Sequence, residues 1–284
     1  MGKEKYLVVL GGSPKGGEKA WNSMYKYVKN HLKADLAICT DKKWLHNQSF
    51  IEKADYDWTF EEADDWGDYY SSNYHELGAQ AFELGRNTAL LYGLTHFAIK
   101  DIILENYIKE VEKYDYIIYS RFDQMYINYH LHGFDQNVLI PEGEDYFGIG
   151  ARHILIPSTL AKDYFGILKF FLKNFDEFKN INYLDCKTIN KLHLESFVRK
   201  DSIFRTKRIQ FTVAEKNDHT NLEKAKFKLY LLRNIKIKYP DEFLKAVENF
   251  VITLNASKIN FINITLLINY YYLLLRKSPG SLKS

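Results

Sequence analysis

The chain begins with an apolar run, Lys5 to Leu10 (KYLVVL), closed by Gly11-Gly12. Such a run, rich in Val and Leu and without alternation, predicts a buried strand of a parallel sheet. Between Ala20 and Leu32, Trp21, Met24, Tyr25, Val28 and Leu32 recur at helical spacing, and Ala34–Thr40 (ADLAICT) reads as a second strand ending at Asp41. Together they predict a βαβ unit, whose crossover is right-handed. From Trp44 to Tyr74 the chain is dense in Asp, Glu, Trp and Tyr with no clean period, which predicts a long surface excursion of the kind that serves as a lid or binding loop. Helical patterning returns from about Glu76 to Leu94 and from Thr95 to Lys113. Tyr114–Tyr119 is β-rich and runs into Ser120-Arg121-Phe122-Asp123. Further strands are expected at Val138–Ile140, His153–Ile156 and Gln210–Ala214, with a helix from Ser158 to about Lys173. Everything after Leu222 reads as helical, with a break at Pro240-Asp241. The pattern predicts one α/β domain over 1–221 and a helical C-terminal appendage over 222–284.

Composition narrows the classes. The 284 residues are 46% hydrophobic and 16% aromatic with only five prolines, which excludes collagen-like, low-complexity and disordered chains. A net charge of +3 does not indicate a nucleic-acid partner. Cys39 and Cys186 have no C-x-x-C spacing, so neither a zinc site nor a redox pair is expected, and two reduced thiols fit a cytoplasmic protein. The short apolar run after the N-terminus does not form a signal peptide. Charge is uneven: residues 222–284 carry eleven Lys/Arg against four Asp/Glu, a net of +7, which leaves −4 on the rest. The apolar stretch Ile259–Leu275 contains three asparagines and is short of the ~20 residues a membrane-spanning helix needs. Flanked by Lys258 and Arg276-Lys277, it suits either a helix lying on an anionic membrane or one packed on the domain.

Two clusters carry candidate chemistry. Gly11-Gly12-Ser13-Pro14-Lys15-Gly16-Gly17 sits between the first strand and the first helix, where backbone N–H groups cradle phosphates. It matches neither G-x-x-x-x-G-K-[ST] nor G-x-G-x-x-G, and a turn that merely needs glycine dihedrals is the alternative. The stronger signal is Arg121 and Asp123 at the carboxyl end of a buried strand, where open α/β sheets bind ligands. Arg121 suits phosphate through its planar fork, and Asp123 suits a divalent cation through hard oxygen ligation. The alternative is a surface ion pair worth under ~1 kcal/mol. Trp58 and Trp66 are candidates to stack on sugar faces, although core packing is the commoner fate of Trp.

The order of these segments resembles the bacterial and viral polysaccharide glycosyltransferases of GT-A-like fold, in which an R-x-D element replaces D-x-D. The resemblance runs from Lys5–Gly12 through Ala34–Thr40 and Tyr114–Asp123 (YDYIIYSRFD) to Asp145–Gly150, similar to a D-x-F-x-x-G strand, then His193-Leu194-Glu195 and Asp218-His219. It covers residues 5–221, with a lone Asp in place of D-x-D and Lys15 where an Arg often stands. It implies a mostly parallel, Rossmann-related sheet flanked by helices. Gly11, Gly12, Ser13, Lys15, Asp41, Arg86, Arg121 and Asp123 then bind a nucleotide-sugar donor. Glu144 or Asp145 serves as the base for an acceptor hydroxyl, with Glu195 competing, and Asp123 and His219 hold Mn or Mg. A solvated or capping role is the alternative for each carboxylate, and a turn for Asp218-His219. The partners implied are the donor, a glycan or lipid-linked acceptor and, through the basic tail, an anionic inner-membrane face. Another nucleotide-dependent transferase such as a sulfotransferase, or a non-catalytic carbohydrate-binding protein, is the competing reading.

Overall fold

A computed structural model describes residues 4–45, 49–88, 90–143, 145, 148–150, 152–182, 184–215, 230–232, 235–253 and 266–271. Seven strands form the main sheet: β1 (Tyr6–Gly11), β2 (Asp35–Asp41), β3 (Tyr56–Phe60), β4 (Tyr116–Ser120), β6 (Val138–Pro141), β7 (His153–Pro157) and β8 (Ile203–Thr206). Their order is β3-β2-β1-β4-β7-β6-β8. The first four are mutually parallel, β7 runs antiparallel to β4 and β6, and β8 is parallel to β6. A second, antiparallel sheet joins β5 (Gln124–Tyr126), β9 (Gln210–Glu215), β11 (Ile235–Ile237) and β10 (Tyr230–Leu232). The fold is therefore α/β, with a mostly parallel central sheet flanked by helices.

The central strands show why an unalternating apolar run was needed. Tyr6, Val8 and Leu10 of β1 point to one face, and Leu7 and Val9 to the other, in the two-residue period of a strand. On the first face they meet Trp21 and Met24 of helix α1 (Gly17–Met24), which continues through a π turn (Tyr25–Lys29) into α2 (Asn30–Leu32). On the second face they meet Ile99 and Ile103 of α5 (Leu91–Val111) and Phe165 of α6 (Ala161–Phe165). A third core lies between α4 (Trp66–Arg86), α5 and α7 (Ile167–Lys173), where Tyr70, Phe97 and Phe171 are buried.

The stretch 44–74 is not a surface excursion. It holds α3 (Ser49–Lys53), the edge strand β3 in parallel register with β2, and the first nine residues of α4. At the sheet edge, Asp57 and Thr59 remain partly exposed while Trp58 is buried and stacks on Tyr107 at 4.9 Å. Trp58 is thus a core residue. The helical period is legible only from Glu76 because α4 is two helices joined at His75, whose φ is 53°.

Two further expectations need correction. Ser158 does not cap a continuous helix: it opens a 3-10 turn, and Gly166 then separates α6 from α7. After 222 the chain is not all helical, since β11 adds to β9. Pro240 does not break a helix but begins one, α10 (Pro240–Thr253), at the position where its missing N–H is harmless. The boundary expected at 221/222 lies outside the described residues. Of Ile259–Leu275 only 266–271 are described; they are helical, and Leu266 is buried in the core with β9, β11 and α10. Among the described residues no helix is long and apolar enough to cross a membrane.

Behind β4 lies a buried chain of polar groups. Ser120 Oγ is 2.8 Å from Tyr126 Oη, which is 2.9 Å from His153 Nδ1. His153 Nε2 is 2.8 Å from His130 Nε2, and His130 Nδ1 is 2.6 Å from the Leu131 carbonyl.

Candidate active site

The chain runs from β1 to β2 on one side of β1, and later returns to place β4 on the other side. That reversal opens a crevice beyond the carboxyl ends of these strands, the usual ligand position in open α/β sheets. Here it is a cleft of about 730 Å³, lined among others by Gly11, Gly12, Ser13, Lys15, Asp41, Arg121 and Asp123. Seven of the residues expected from sequence to bind a donor thus share one cleft. Arg86 does not line it but pairs with Asp65, which does and which also caps α4 by accepting from Gly67 N at 2.8 Å.

Asp123 is the electrostatic centre. It is 1% exposed. Its Oδ1 accepts from Arg121 Nε at 3.0 Å, and its Oδ2 from Arg121 Nη2 at 2.5 Å and Lys238 Nζ at 2.7 Å. Burial alone pushes the carboxyl up, but Arg121 and Lys238 outweigh it and hold the group well below the usual carboxylate range. Gly16 lets the preceding loop press on this residue. Its φ is 88°, and a Cβ there would fall 2.9 Å from Asp123 Cα.

The glycine loop does not present all its amides. Gly12 N–H donates to the Cys39 carbonyl at 3.0 Å and Lys15 N–H to the Ser13 carbonyl at 2.8 Å. Asp41 is likewise engaged, accepting from Lys43 N at 2.9 Å as the cap of a 3-10 turn (Lys42–Trp44). That turn presents Trp44, half exposed, to the cleft. On the opposite wall Arg152 stacks over Tyr239 at 4.0 Å and pairs with Glu242 at 2.6 Å. Glu242 is 1% exposed, lies 3.2 Å from Arg208, and accepts from Thr212 N and Oγ1 at 2.8 and 2.6 Å. Burial raises its carboxyl and the two arginines more than reverse that.

Asp145 and Glu195, two of the carboxylates expected to act as base, do not line the cleft. Asp145 accepts from Arg205 Nη2 at 2.5 Å and from Gly150 N at 3.2 Å, which fixes the loop after β6. Glu195, on helix α9 (Cys186–Phe197), lies 3.8 Å from Lys200 and five residues beyond Asn190, the last residue of that helix to line the cleft. Glu144 and His219 lie outside the described residues. Among the described residues, the carboxylates that do line the cleft are Asp41, Glu62, Asp64, Asp65 and Asp123. Of these, Asp64 alone has no ion pair among the described residues. Trp66 also lines the cleft and donates Nε1 to Glu62 at 2.9 Å.

The described residues do not fit a divalent cation at Asp123. Both carboxylate oxygens already accept from cations, and no group of three His, Cys, Asp or Glu side chains converges there. A metal ion would have to displace Arg121 and Lys238. Sequence reasoning missed Lys238, Arg152, Lys100, His96 and Asn190. None sits in a motif, and each reaches the cleft only through tertiary packing.

No protein-family model matches the chain, and no curated protein matches it. Among solved structures, the apo form of mouse xyloside xylosyltransferase 1 is similar to 71% of this chain and 85% of its own, at 8% identity and a TM-score of 0.39. The fold assignment rests on the strand order and registers, not on this likeness.

Proposed function

We propose that the chain is a glycosyltransferase that moves a sugar from a nucleoside-diphosphate donor to an acceptor hydroxyl in surface-glycan synthesis. The observation that carries this reading is the Arg121–Asp123–Lys238 cluster at the crevice beside β1, with Lys15 lining the same cleft. A departing diphosphate gains negative charge, and fixed cations aimed at it lower the barrier without reorganising. Asp123 is then a positioning residue: it holds the Arg121 and Lys238 side chains in place. Trp44 offers an aromatic face for the base. Asp64, the lining carboxylate without an ion pair, takes the acceptor proton.

The acceptor in this reading is a glycan or a lipid-linked sugar. The +7 excess over 222–284 supports an encounter with an anionic membrane on the cytoplasmic side, worth about 1 kcal/mol per basic residue near the surface. The test is a thermal-shift series with ADP, UDP, GDP and CDP on the full chain. At least one should raise the midpoint saturably; flat responses to all four defeat the reading. Asp64→Asn should lower sugar transfer by about 10²–10⁴-fold and leave nucleoside-diphosphate affinity unchanged. A loss of nucleotide binding instead would remove Asp64 as the base.

A further inference from the structure

The floor of the cleft is built differently from the Asp123 wall. Helices α5 and α9 meet there so closely that a Cβ on Gly93 would fall 2.2 Å from that of Cys186. Gly93, His96, Phe97 and Lys100 recur every three to four residues on α5 and so share one face toward the cleft. From α9 come Cys186 and Asn190, one turn apart. On this floor His96 Nδ1, Lys100 Nζ and Asn190 Nδ2 are all buried, and none has a hydrogen-bond partner among the described residues.

Lys100 is the most unusual of the three. Its side chain is 1% exposed, and its ammonium lies over the rings of Tyr164 at 4.0 Å and Tyr119 at 5.2 Å. Those rings attract the charge but accept no conventional hydrogen bond through their faces. The neighbouring Asp101, equally buried, does not compensate: its Oδ2 accepts from Tyr69 and Tyr74 at 2.9 and 2.6 Å. Buried ammonium groups without an acceptor are costly, and so are unmet amide donors. One orphan is readily met by a water, but three donor-capable nitrogens on adjacent turns of two helices form a recognition surface for an acceptor.

We propose that His96, Lys100 and Asn190 form a subsite that receives an oxyanion of the bound substrate, the carboxylate of an acidic sugar in the first instance. This deepens the glycosyltransferase reading by naming the donor as one carrying a uronic-type sugar, and it rests on that reading only for the word donor. The carboxylate accepts from the Lys100 ammonium and the Asn190 amide, and supplies the counter-charge the floor lacks. A phosphoryl oxygen has the same chemistry and is the second source. Burial pushes the Lys100 ammonium down to about 7, and an anion bound beside it favours the charged form. The titratable groups facing it are His96 on its own helix, Tyr119 on β4, Tyr164 on α6, and Cys186 and His193 on α9; Cys186 favours the charged ammonium, but by less than burial opposes it.

The experiment observes Lys100 itself. The full chain is labelled with [ε-¹³C]lysine, and the Lys100 resonance is assigned by its loss in Lys100→Met. Sodium glucuronate, sodium phosphate and glucose are titrated separately at constant ionic strength. A saturable Lys100 shift with glucuronate supports the sugar carboxylate, and one with phosphate alone supports the phosphoryl source. A shift with glucose as large as with glucuronate, or no saturable shift with either anion, overturns the proposal. Asn190→Ala, which keeps Lys100 observable, should weaken glucuronate binding about threefold to tenfold, the loss of one hydrogen bond; unchanged affinity counts against the subsite. The nucleoside-diphosphate series reads out separately. Nucleotide binding with a silent Lys100 sinks this subsite and spares the donor reading, and the reverse result does the opposite.

Discussion

Two charged regions face the same cleft and are built on opposite principles. In the wall formed by β9, β11 and the start of α10, every buried charge has a counter-charge. Asp123 holds Arg121 and Lys238, and Glu242 holds Arg152 and Arg208 while taking two hydrogen bonds from Thr212. In the floor formed by α5 and α9, Lys100 is as deeply buried and has none among the described residues. A saturated network specifies one arrangement of the strands that carry it, because removing any member strands the others. An unsaturated one contributes nothing to folding and must be carried by the packing around it. The wall therefore reads as structure that also presents charge, and the floor as a place kept open for something that is not protein.

The sharpest break in that contrast is Glu242→Ala. It removes the buried carboxylate that Arg152 and Arg208 share, and should cost about 3–5 kcal/mol of stability in denaturant unfolding at neutral pH. A loss under ~1 kcal/mol would show that the wall is not held by this network. Both Glu242 and Asp123 have depressed carboxyl values, so their contribution is present above the ordinary carboxylate range and is lost as pH falls below about 4.

Next in size is Lys238→Met. Asp123 keeps Arg121, so the chain should fold, while nucleoside-diphosphate affinity falls by about ten- to a hundredfold with the loss of a charged donor. Calorimetric titration checks this, and wild-type affinity would remove Lys238 from the donor site. Lys100→Met has the opposite sign. Replacing an uncompensated buried ammonium by an apolar side chain of similar length should raise stability by about 1–2 kcal/mol at neutral pH. Because the folded value lies near 7 and the unfolded one near the ordinary lysine value, the unfolded chain binds more protons between them. Wild-type stability should therefore climb from pH 7 to about 10, and the variant should lose that slope. A destabilised Lys100→Met would make the lysine part of the core. The smallest effect is a null one. With cations already on both oxygens of Asp123, EDTA should change nucleoside-diphosphate affinity by less than about twofold, and a larger drop would return a divalent cation to the site.

The central strands were readable from sequence because burial on both faces leaves unbroken apolar runs, as in β1, β2 and β4. Arg121 and Asp123 stood out for the same reason, as charges ending such a run. What could not be read depended on edges and on distance. β3 does alternate, with Tyr56, Trp58 and Phe60 packed toward the core and Asp57 and Thr59 toward solvent, but its five residues are lost within a long acidic, aromatic stretch. β10 and β11 are three-residue strands, β10 pairing with β11 and β11 with β9. Lys238 meets Asp123 across 115 positions of sequence, and no local pattern announces that. Lys100 sits beside Asp101 in a helix that also carries Glu105, Lys109 and Glu110, and nothing local sets it apart from those charges.

The chain of polar groups behind β4 has a definite direction. The Leu131 carbonyl has no proton to give, so His130 Nδ1 must donate to it. Burial pushes His130 down to about 4 and His153 well below its usual value, so both rings are neutral. His130 Nε2 then accepts from His153 Nε2–H, His153 Nδ1 accepts from the Tyr126 hydroxyl, and Tyr126 is left to accept from Ser120. One carbonyl oxygen thus dictates the orientation of four side chains on three separate strands and a loop, in the manner of dominoes leaning one way. Acid reverses the lean at a single tile. Protonating His130 sets two N–H groups against each other, and the junction of β4, β5 and β7 yields together rather than bond by bond. Since unfolded imidazoles take up protons from about pH 6.5, its support fades from there downward and is gone once the pH passes below the folded values.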